Sequence, residues 1–319
     1  MPRPIYDGPE LDDLREKFSW ETRQKVSVLE CPICHKTDHW TIATKDRYDL
    51  PTAAKMCDYC GMIYLDPILS AKEYEEFYTG WYHNFVRAYR REPCGPKHYI
   101  RKGFILGRQI ADYLKQVKLP KTLNVLDIGG STGIVCRELR KKLEARGCVA
   151  KCTILDPSVK ELEIAKSYGH KTICGLFEKV KLKEKYDFII FARTSDHVLD
   201  PIGCLTRIRD LLTPTGCLYV DFVDTEHQSG IFGIPGCFHI DHTHNWNSTT
   251  AAWVLRKIGF EAVECEVYDG CWRFIVKKAE PVDEEPDKKS VEFLRRKISE
   301  KLRNPVGSFQ IPAKERDDS

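Results

Sequence analysis

The 319-residue chain lacks the features that would announce a function at once. No charge of one sign dominates: 50 Lys+Arg stand against 47 Asp+Glu, a net of +3. Such a balance builds no large field for a nucleic-acid backbone or an acidic membrane, so a partner has to be recognised locally. No stretch approaches 18 uninterrupted apolar residues, and the start, Met1-Pro-Arg-Pro-Ile-Tyr-Asp, carries no apolar leader. Neither a transmembrane segment nor a secretory signal is expected, which places the chain in the cytoplasm. Disorder and fibrous repeats are equally absent as a theme. With 42% hydrophobic and 30% charged residues the composition is that of a globular chain with one sizeable core and a small satellite domain. The surplus is cysteine, 14 in all.

In a reducing compartment those thiols are not a disulfide framework, and their spacing has to explain them. Four separate from the rest as Cys31-Pro-Ile-Cys34 and, 22 residues on, Cys57-Asp-Tyr-Cys60-Gly61. Two such knuckles each span an edge of a sulfur tetrahedron, the ligand set of a structural Zn²⁺, and Gly61 suits the tight turn behind the second knuckle. Four sulfurs leave no open coordination position, so metal-activated water is excluded. From Lys25 to Asp66, Lys25, Lys36, Lys45, Arg47 and Lys55 are balanced by Glu30, Asp38, Asp46, Asp49, Asp58 and Asp66, which argues against a phosphate-backbone surface. The remaining ten cysteines, Cys94 among them, read as small buried hydrophobes.

The second organised region follows an amphipathic helix expected over Tyr99 to Val117. A β-branched strand, Leu123-Asn-Val-Leu-Asp127, enters the turn Ile-Gly129-Gly130-Ser131-Thr-Gly133 and then a helical run from Ile134 to Arg146. Strand, glycine turn and helix form the nucleoside-binding geometry, in which backbone approaches ligand because no Cβ intervenes. Asp127 ends the strand with a negative charge, better suited to the ammonium of an amino-acid moiety than to a pyrophosphate. A second strand, Val149 to Leu155, ends in Asp156, placed to accept ribose hydroxyls. Strands at Tyr186–Phe191 and Gly216–Val223 flank the segment Arg193-Thr194-Ser-Asp196-His197. Runs at 262–267 and 271–276 around Tyr268-Asp269-Gly270 predict an antiparallel edge hairpin.

In the order of these motifs, with Asp196-His197-Val-Leu-Asp-Pro201 and Leu211-Leu-Thr-Pro-Thr-Gly216, residues 99 to 278 resemble the class I S-adenosylmethionine-dependent methyltransferases. The resemblance implies an α/β, Rossmann-like fold with a seven-stranded, mostly parallel sheet, and S-adenosylmethionine as cofactor. It also implies cofactor contacts from Asp127, Gly129, Gly130, Ser131, Gly133, Asp156, Pro157, Arg193 and Thr194. Ser131 stands where the usual turn has its middle glycine.

The connection Asp224 to Ser248, about 25 residues, is far above ordinary loop length and so reads as functional. It holds Phe238-His239-Ile-Asp241-His242-Thr-His244. Three histidines and a carboxylate this close suit a metal site, an acid/base cluster or a polar loop of satisfied core histidines; extended alternation puts His239 and Asp241 on one side and His242 and His244 on the other. A zinc ribbon joined to this core, with such an element after the fifth strand, is similar to sugar C- and O-methyltransferases of glycan and antibiotic pathways. That resemblance makes His242 the general base, Asp241 its orienting acid and His239 the substitute for a substrate-binding Tyr, with His197 as a second candidate base or a cap for the helix at Pro201. Its acceptor is a sugar nucleotide or glycan, methylated on oxygen or carbon. Those C-methyltransferases carry a further C-terminal nucleotide-fold domain that these residues do not include, which keeps O-methylation alongside. Two other readings are a zinc-ribbon ribosomal RNA base methyltransferase, disfavoured by the charge balance, and a noncatalytic scaffold that keeps the fold.

The expected organisation is an N-terminal extension over 1–24, a zinc ribbon over 25–68, a helical connector and lid over 69–118, the methyltransferase domain over 119–279, and a linker with an amphipathic helix over 280–319. In the connector, aromatics alternate with arginines, and Tyr78, Tyr82 and Arg87, with His244 from the long loop, are the expected acceptor contacts. The apolar face of the helix at 291–302 is expected to dock on the domain, to pair with a second subunit in a homodimer, or to rest on a membrane surface.

Overall fold

The computed structural model describes residues 8–91, 96–114, 120–268 and 270–303, without the side chains of 96–99. The expectations for Cys94, Asp269, the end of the connector helix beyond 114 and the tail beyond 303 lie outside the described residues. In chain order the elements are α1 (Leu11–Phe18), β1 (Lys25–Val26), β2 (His39–Ala43), β3 (Ala53–Cys57), β4 (Ile63–Asp66), β5 (Ile68–Leu69), α2 (Ala71–Glu76), α3 (Tyr82–Arg90) and α4 (Pro96–Tyr113). There follow β6 (Thr122–Ile128), α5 (Ile134–Glu144), β7 (Val149–Asp156), α6 (Val159–Ser167), β8 (Lys171–Cys174), β9 (Tyr186–Phe191), α7 (Pro201–Leu211) and β10 (Leu212–Val223). The chain ends in α8 (Thr225–Phe232), β11 (His244–Asn245), α9 (Ser248–Ile258), β12 (Phe260–Tyr268), β13 (Cys271–Lys278) and α10 (Lys288–Arg303).

The main sheet has seven strands in the order β12-β13-β10-β9-β6-β7-β8, with β13 antiparallel to both neighbours and the central pairs parallel. The expected edge hairpin is present, pairing Tyr268 with Cys271. Parallel strands covered on both faces need apolar side chains on both, which is why β6 and β9 are almost wholly buried. Local signals set the helix ends. Asp200 accepts the Gly203 N–H at 2.8 Å with Pro201 in the first turn of α7, so the cap expected from His197 comes from Asp200 instead. Helix α4 lies so close to α5 that a Cβ at Gly107 would fall 2.5 Å from the Val135 carbonyl.

The ribbon is not a separate bead. Its sheet runs β11-β4-β3-β2, and β11 comes from the long connection after β10, pairing His244 with Tyr64 and Asn245 with Ile63. That connection is therefore not one irregular loop: it contains α8 and β11, because its backbone finds partners in the ribbon. Below it, α1, α2 and α3 close an aromatic cluster of Phe18, Trp20, Tyr48, Phe77 and Phe85. Helix α10 docks on its own chain. Val291, Leu294 and Ile298 are buried against Met56, Ile63, Leu65 and Phe238, and Lys301 bonds the Glu226 carbonyl and Ser229. Of the three uses expected for this face, docking on the chain's own domain is the one the structure shows. Two cysteines also depart from expectation: Cys174 and Cys265 are exposed, since β8 and β12 are the sheet's edge strands.

Candidate active site

The cofactor side is built at the carboxyl ends of β6, β7 and β9. Asp127 is 2% exposed, its Oδ2 has no hydrogen-bond partner, and burial pushes its pKa up to about 8. A buried carboxyl with an orphan oxygen is completed by a cationic donor, which returns both the lost hydrogen bond and the charge. The turn leaves no room for side chains: a Cβ at Gly130 would lie 2.7 Å from the Asp127 Cγ, and one at Gly129, where φ is +70°, would lie 2.4 Å from Thr194 Oγ1. Ser131 takes a left-handed φ of +50° and donates its N–H to Asp156 Oδ2 at 2.9 Å. The other Asp156 oxygen accepts from Ser158 N–H at 2.8 Å, so each oxygen keeps a lone pair for a further donor. Gly133 opens α5, and Pro157 follows Asp156 around the same turn. These residues fit the amino-acid and ribose parts of S-adenosylmethionine. The Arg193 N–H bonds Asp221 Oδ1 at 2.5 Å and its Nε lies 3.5 Å from Asp221 Oδ2, so it also braces the end of β9 to β10.

The acceptor side gathers residues from four segments. The expected extended alternation of His239 to His244 is replaced by a turn, His242 N–H to His239 carbonyl at 2.8 Å, which brings the two imidazoles to 3.8 Å between centroids. The His197 ring stands edge-on to His242 at 4.4 Å. The Asp241 carbonyl accepts from Tyr74 at 3.0 Å, Tyr78 at 2.9 Å and His197 Nδ1 at 2.8 Å, and the Tyr78 hydroxyl also touches that nitrogen. With Nδ1 engaged, Nε2 is the nitrogen His197 has left to offer. The Asp241 carboxylate lies 2.7 Å from His239 Nδ1 and takes the Tyr48 hydroxyl at 3.2 Å. Tyr82 stacks on Tyr78 at 5.2 Å and stands 6.0 Å from His197; Arg87 lies half-buried on α3.

Electrostatics keep this cluster of imidazoles neutral. Burial, then Arg47, lowers His239 to about 4, and burial with the neighbouring imidazoles, Arg47 and Arg90 holds His242 well below its ordinary value. Burial lowers His197 as well. Asp241 goes the other way: against burial, His239, His197 and Arg47 hold its carboxyl well below the usual range. One carboxylate is thus surrounded by neutral imidazoles. His197, Asp241 and His242 offer ligand atoms within 4.8 Å of one another, a spacing open to a metal ion. The guanidinium groups that depress these imidazoles would repel a divalent cation in the same place, so the acid/base reading is the better one.

His244 stands apart. It is 3% exposed, bonds Thr243 Oγ1 at 2.9 Å and holds β11 to β4, so its expected substrate contact is replaced by a structural one. Several site residues escaped the sequence reading. Asp196 is 1% exposed with neither oxygen hydrogen-bonded, and burial together with Asp221 pushes its carboxyl well above the usual range. It lines a narrow crevice with Gln228, Cys237, His239, His242 and Asn245. Its position just after β9 was a usable signal. Tyr48, Tyr74 and Asp46 carried none, because only folding brings the ribbon hairpin and α2 to the histidines. Asp46 accepts the N–H groups of Tyr48, Leu50 and Ile240 at 2.9 to 3.0 Å and so ties that hairpin to the histidine segment.

In the ribbon, the four expected cysteines converge. Cys31 and Cys60 sulfurs are 3.6 Å apart, Cys34 and Cys57 sulfurs 3.5 Å, and all four lie within 4.8 Å. A tetrahedron with Zn–S near 2.3 Å has edges of about 3.8 Å. Gly61 turns at φ +74° with its N–H on the Cys57 carbonyl. The site fits a structural Zn²⁺.

A family model described as a methyltransferase domain matches residues 98–265. A ubiquinone biosynthesis O-methyltransferase of Bradyrhizobium diazoefficiens is 26% identical over 136 residues, covering 39% of this chain and 51% of that protein. A protein of the same name from Dinoroseobacter shibae is 27% identical over 182 residues, covering 52% of this chain and 72% of its own length. The chain thus spans about half the length of the first of these relatives. An S-adenosylmethionine-dependent methyltransferase from Clostridium acetobutylicum superposes with a TM-score of 0.46 at 13% identity, covering 64% of this chain and 99% of that one. Over 98–265, more than half of its residues, the chain belongs to the methyltransferase domain family, of the class I S-adenosylmethionine-dependent kind.

Proposed function

We propose that the protein methylates a hydroxyl of a sugar-bearing acceptor at the expense of S-adenosylmethionine, with His242 as the proton acceptor. The observation that carries this reading is a buried orphan carboxyl at the carboxyl end of β6 and a buried cluster of neutral imidazoles that includes His197, after the neighbouring strand β9. The relatives named O-methyltransferases support transfer to oxygen; the ribbon and the polar lining of the crevice support a sugar-bearing acceptor.

Bound at Asp127, Gly129–Gly133 and Asp156, the cofactor supplies a methyl group already activated by its sulfonium. What remains for the protein is alignment, exclusion of water and removal of one proton. His242, uncharged at neutral pH, takes the acceptor's hydroxyl proton. His239 and the Asp241 carboxylate keep its surroundings polar, and Tyr78 with His197 anchors the Asp241 backbone. Asp196, holding its own proton, donates a hydrogen bond to an acceptor oxygen. Zn²⁺ on Cys31, Cys34, Cys57 and Cys60 keeps the ribbon hairpin against the histidine segment.

The test is a titration with adenosylmethionine and a turnover screen over nucleotide sugars. Binding in the micromolar range, weakened by Asp156→Ala, and a His242→Ala variant that binds the cofactor but does not turn over are expected. No thermal shift with adenosylmethionine, or an Asp156→Ala variant with unchanged affinity, overturns the reading.

A further inference from the structure

Among the described residues, two arginines beside the histidine cluster form no direct ion pair. Arg47 sits in the ribbon hairpin between β2 and β3, and its backbone N–H bonds the Phe238 carbonyl at 2.8 Å, one residue before His239. Its guanidinium is packed against Tyr89 at 4.9 Å, Phe232 at 5.4 Å and Tyr48 at 5.9 Å. Arg90 ends α3 and bears electrostatically on His242 and on Tyr89. The Nε of each is buried and has no hydrogen-bond partner. Other half-buried charges do form an ion pair, as in Arg23–Glu73 and Lys55–Asp66. The nearby carboxylates are already spoken for: Asp46 by three backbone N–H groups, Asp241 by His239 and Tyr48.

A buried donor without a partner is costly, and the natural complement of two guanidinium groups, each with a buried and unpartnered Nε–H, is an oxyanion that accepts from them. We infer that Arg47 and Arg90 form the site for a phosphate or diphosphate group of the methyl acceptor. This rests on the methyltransferase reading only in assigning the anion to the acceptor. It gives the ribbon a direct part in recognition: the zinc-stapled hairpin supplies one guanidinium, the connector helix the other, and neither belongs to the cofactor-binding sheet. The aromatic packing around Arg47 fixes its plane before the ligand arrives, which reduces the entropy lost on binding.

The experiment is calorimetric titration of the full chain, saturated with adenosylhomocysteine, with inorganic pyrophosphate, and in a parallel arm with succinate. Pyrophosphate is expected to bind, with affinity lowered at least tenfold by Arg47→Met and by Arg90→Met, and unchanged by Arg256→Ala at a distant surface pair. Arg47→Lys, which keeps the charge but loses the fork, is expected to fall between, and the melting temperature and adenosylhomocysteine affinity of each variant report its folding. No binding of pyrophosphate, an affinity in both Met variants equal to the parent's, or succinate binding in preference to pyrophosphate each overturns the assignment. So does a second equivalent of tightly held zinc in protein that ignores pyrophosphate, which would give the histidine cluster to a metal. Loss of adenosylhomocysteine binding with pyrophosphate binding intact would instead sink the methyltransferase reading and leave the oxyanion site standing.

Discussion

The two halves of the site are made in different ways. Between Asp127 and Asp156 the cofactor side needs 30 consecutive residues, one strand–turn–helix–strand unit whose groups are placed by local geometry. The acceptor side needs Tyr48 from the ribbon, Tyr74 and Tyr78 from the connector, Asp196 and His197 after β9, and His239 to His242 from the long connection. A local unit keeps its form when a distant part of the molecule is disturbed; an assembly of four segments does not. Damage to the ribbon should therefore abolish acceptor chemistry and spare cofactor binding.

Zinc removal is the most severe way to break that comparison. Structural zinc in small domains is worth on the order of 10 kcal/mol. Chelation, or Cys57→Ser, is expected to unfold the ribbon, release the histidine segment and abolish turnover, while calorimetry still finds adenosylhomocysteine bound; parallel loss of both functions would show that the halves are not separable. Next in size is His242→Ala, expected to lower kcat by about 10²–10⁴-fold as for a missing general base, with cofactor affinity within twofold of the parent. A kcat within fivefold of the parent would move the base elsewhere in the cluster.

Helix α10 offers a smaller lever on the same asymmetry. Leu294, on α10, is 6% exposed and packs against the ribbon. Leu294→Ala should cost about 2–5 kcal/mol in chemical denaturation and raise the KM of the acceptor more than that of the cofactor. Equal effects on both KM values would count against it.

The smallest effect sharpens the cofactor half. Asp127, raised to about 8 against an ordinary 3.8, is protonated at neutral pH in the free protein. Because the folded-state value is the higher one, its contribution to stability is complete below 3.8 and is lost as pH rises towards 8. A cationic ligand favours the carboxylate, so binding releases a proton and affinity should rise by up to about tenfold from pH 7 to above 8. Calorimetry in buffers of different ionisation enthalpy measures the proton released; Asp127→Asn should weaken binding and remove its pH dependence. A parent affinity that is flat over this range refutes the role.

How far the sequence was readable follows the same division. The alternation of strands and helices, the edge hairpin and the glycine turn follow from hydrophobic periodicity and turn chemistry, which act within about 30 residues of chain. The knuckles were legible because two ligands three apart on one turn are a local fact. The histidine segment was legible as chemistry but not as shape: its residues were read as extended, and a turn closed by His242 and His239 puts both imidazoles on one side. The partner of Arg193 was not legible, because Asp221 lies on a neighbouring strand. His244 was misread because its use is to pair β11 with the ribbon, 180 residues earlier in the chain.

By itself, then, the sequence determined a cysteine staple, a class I methyltransferase sheet and the glycine turn with its two strand-end carboxylates, since each depends on neighbours in the chain. Only the tertiary structure decided which imidazoles stack, which carboxyl is left orphaned at Asp196, and which guanidinium groups, those of Arg47 and Arg90, keep a buried Nε without a partner. Those outcomes depend on which distant surfaces exclude water from one another. Burial turns the histidines neutral by the same exclusion.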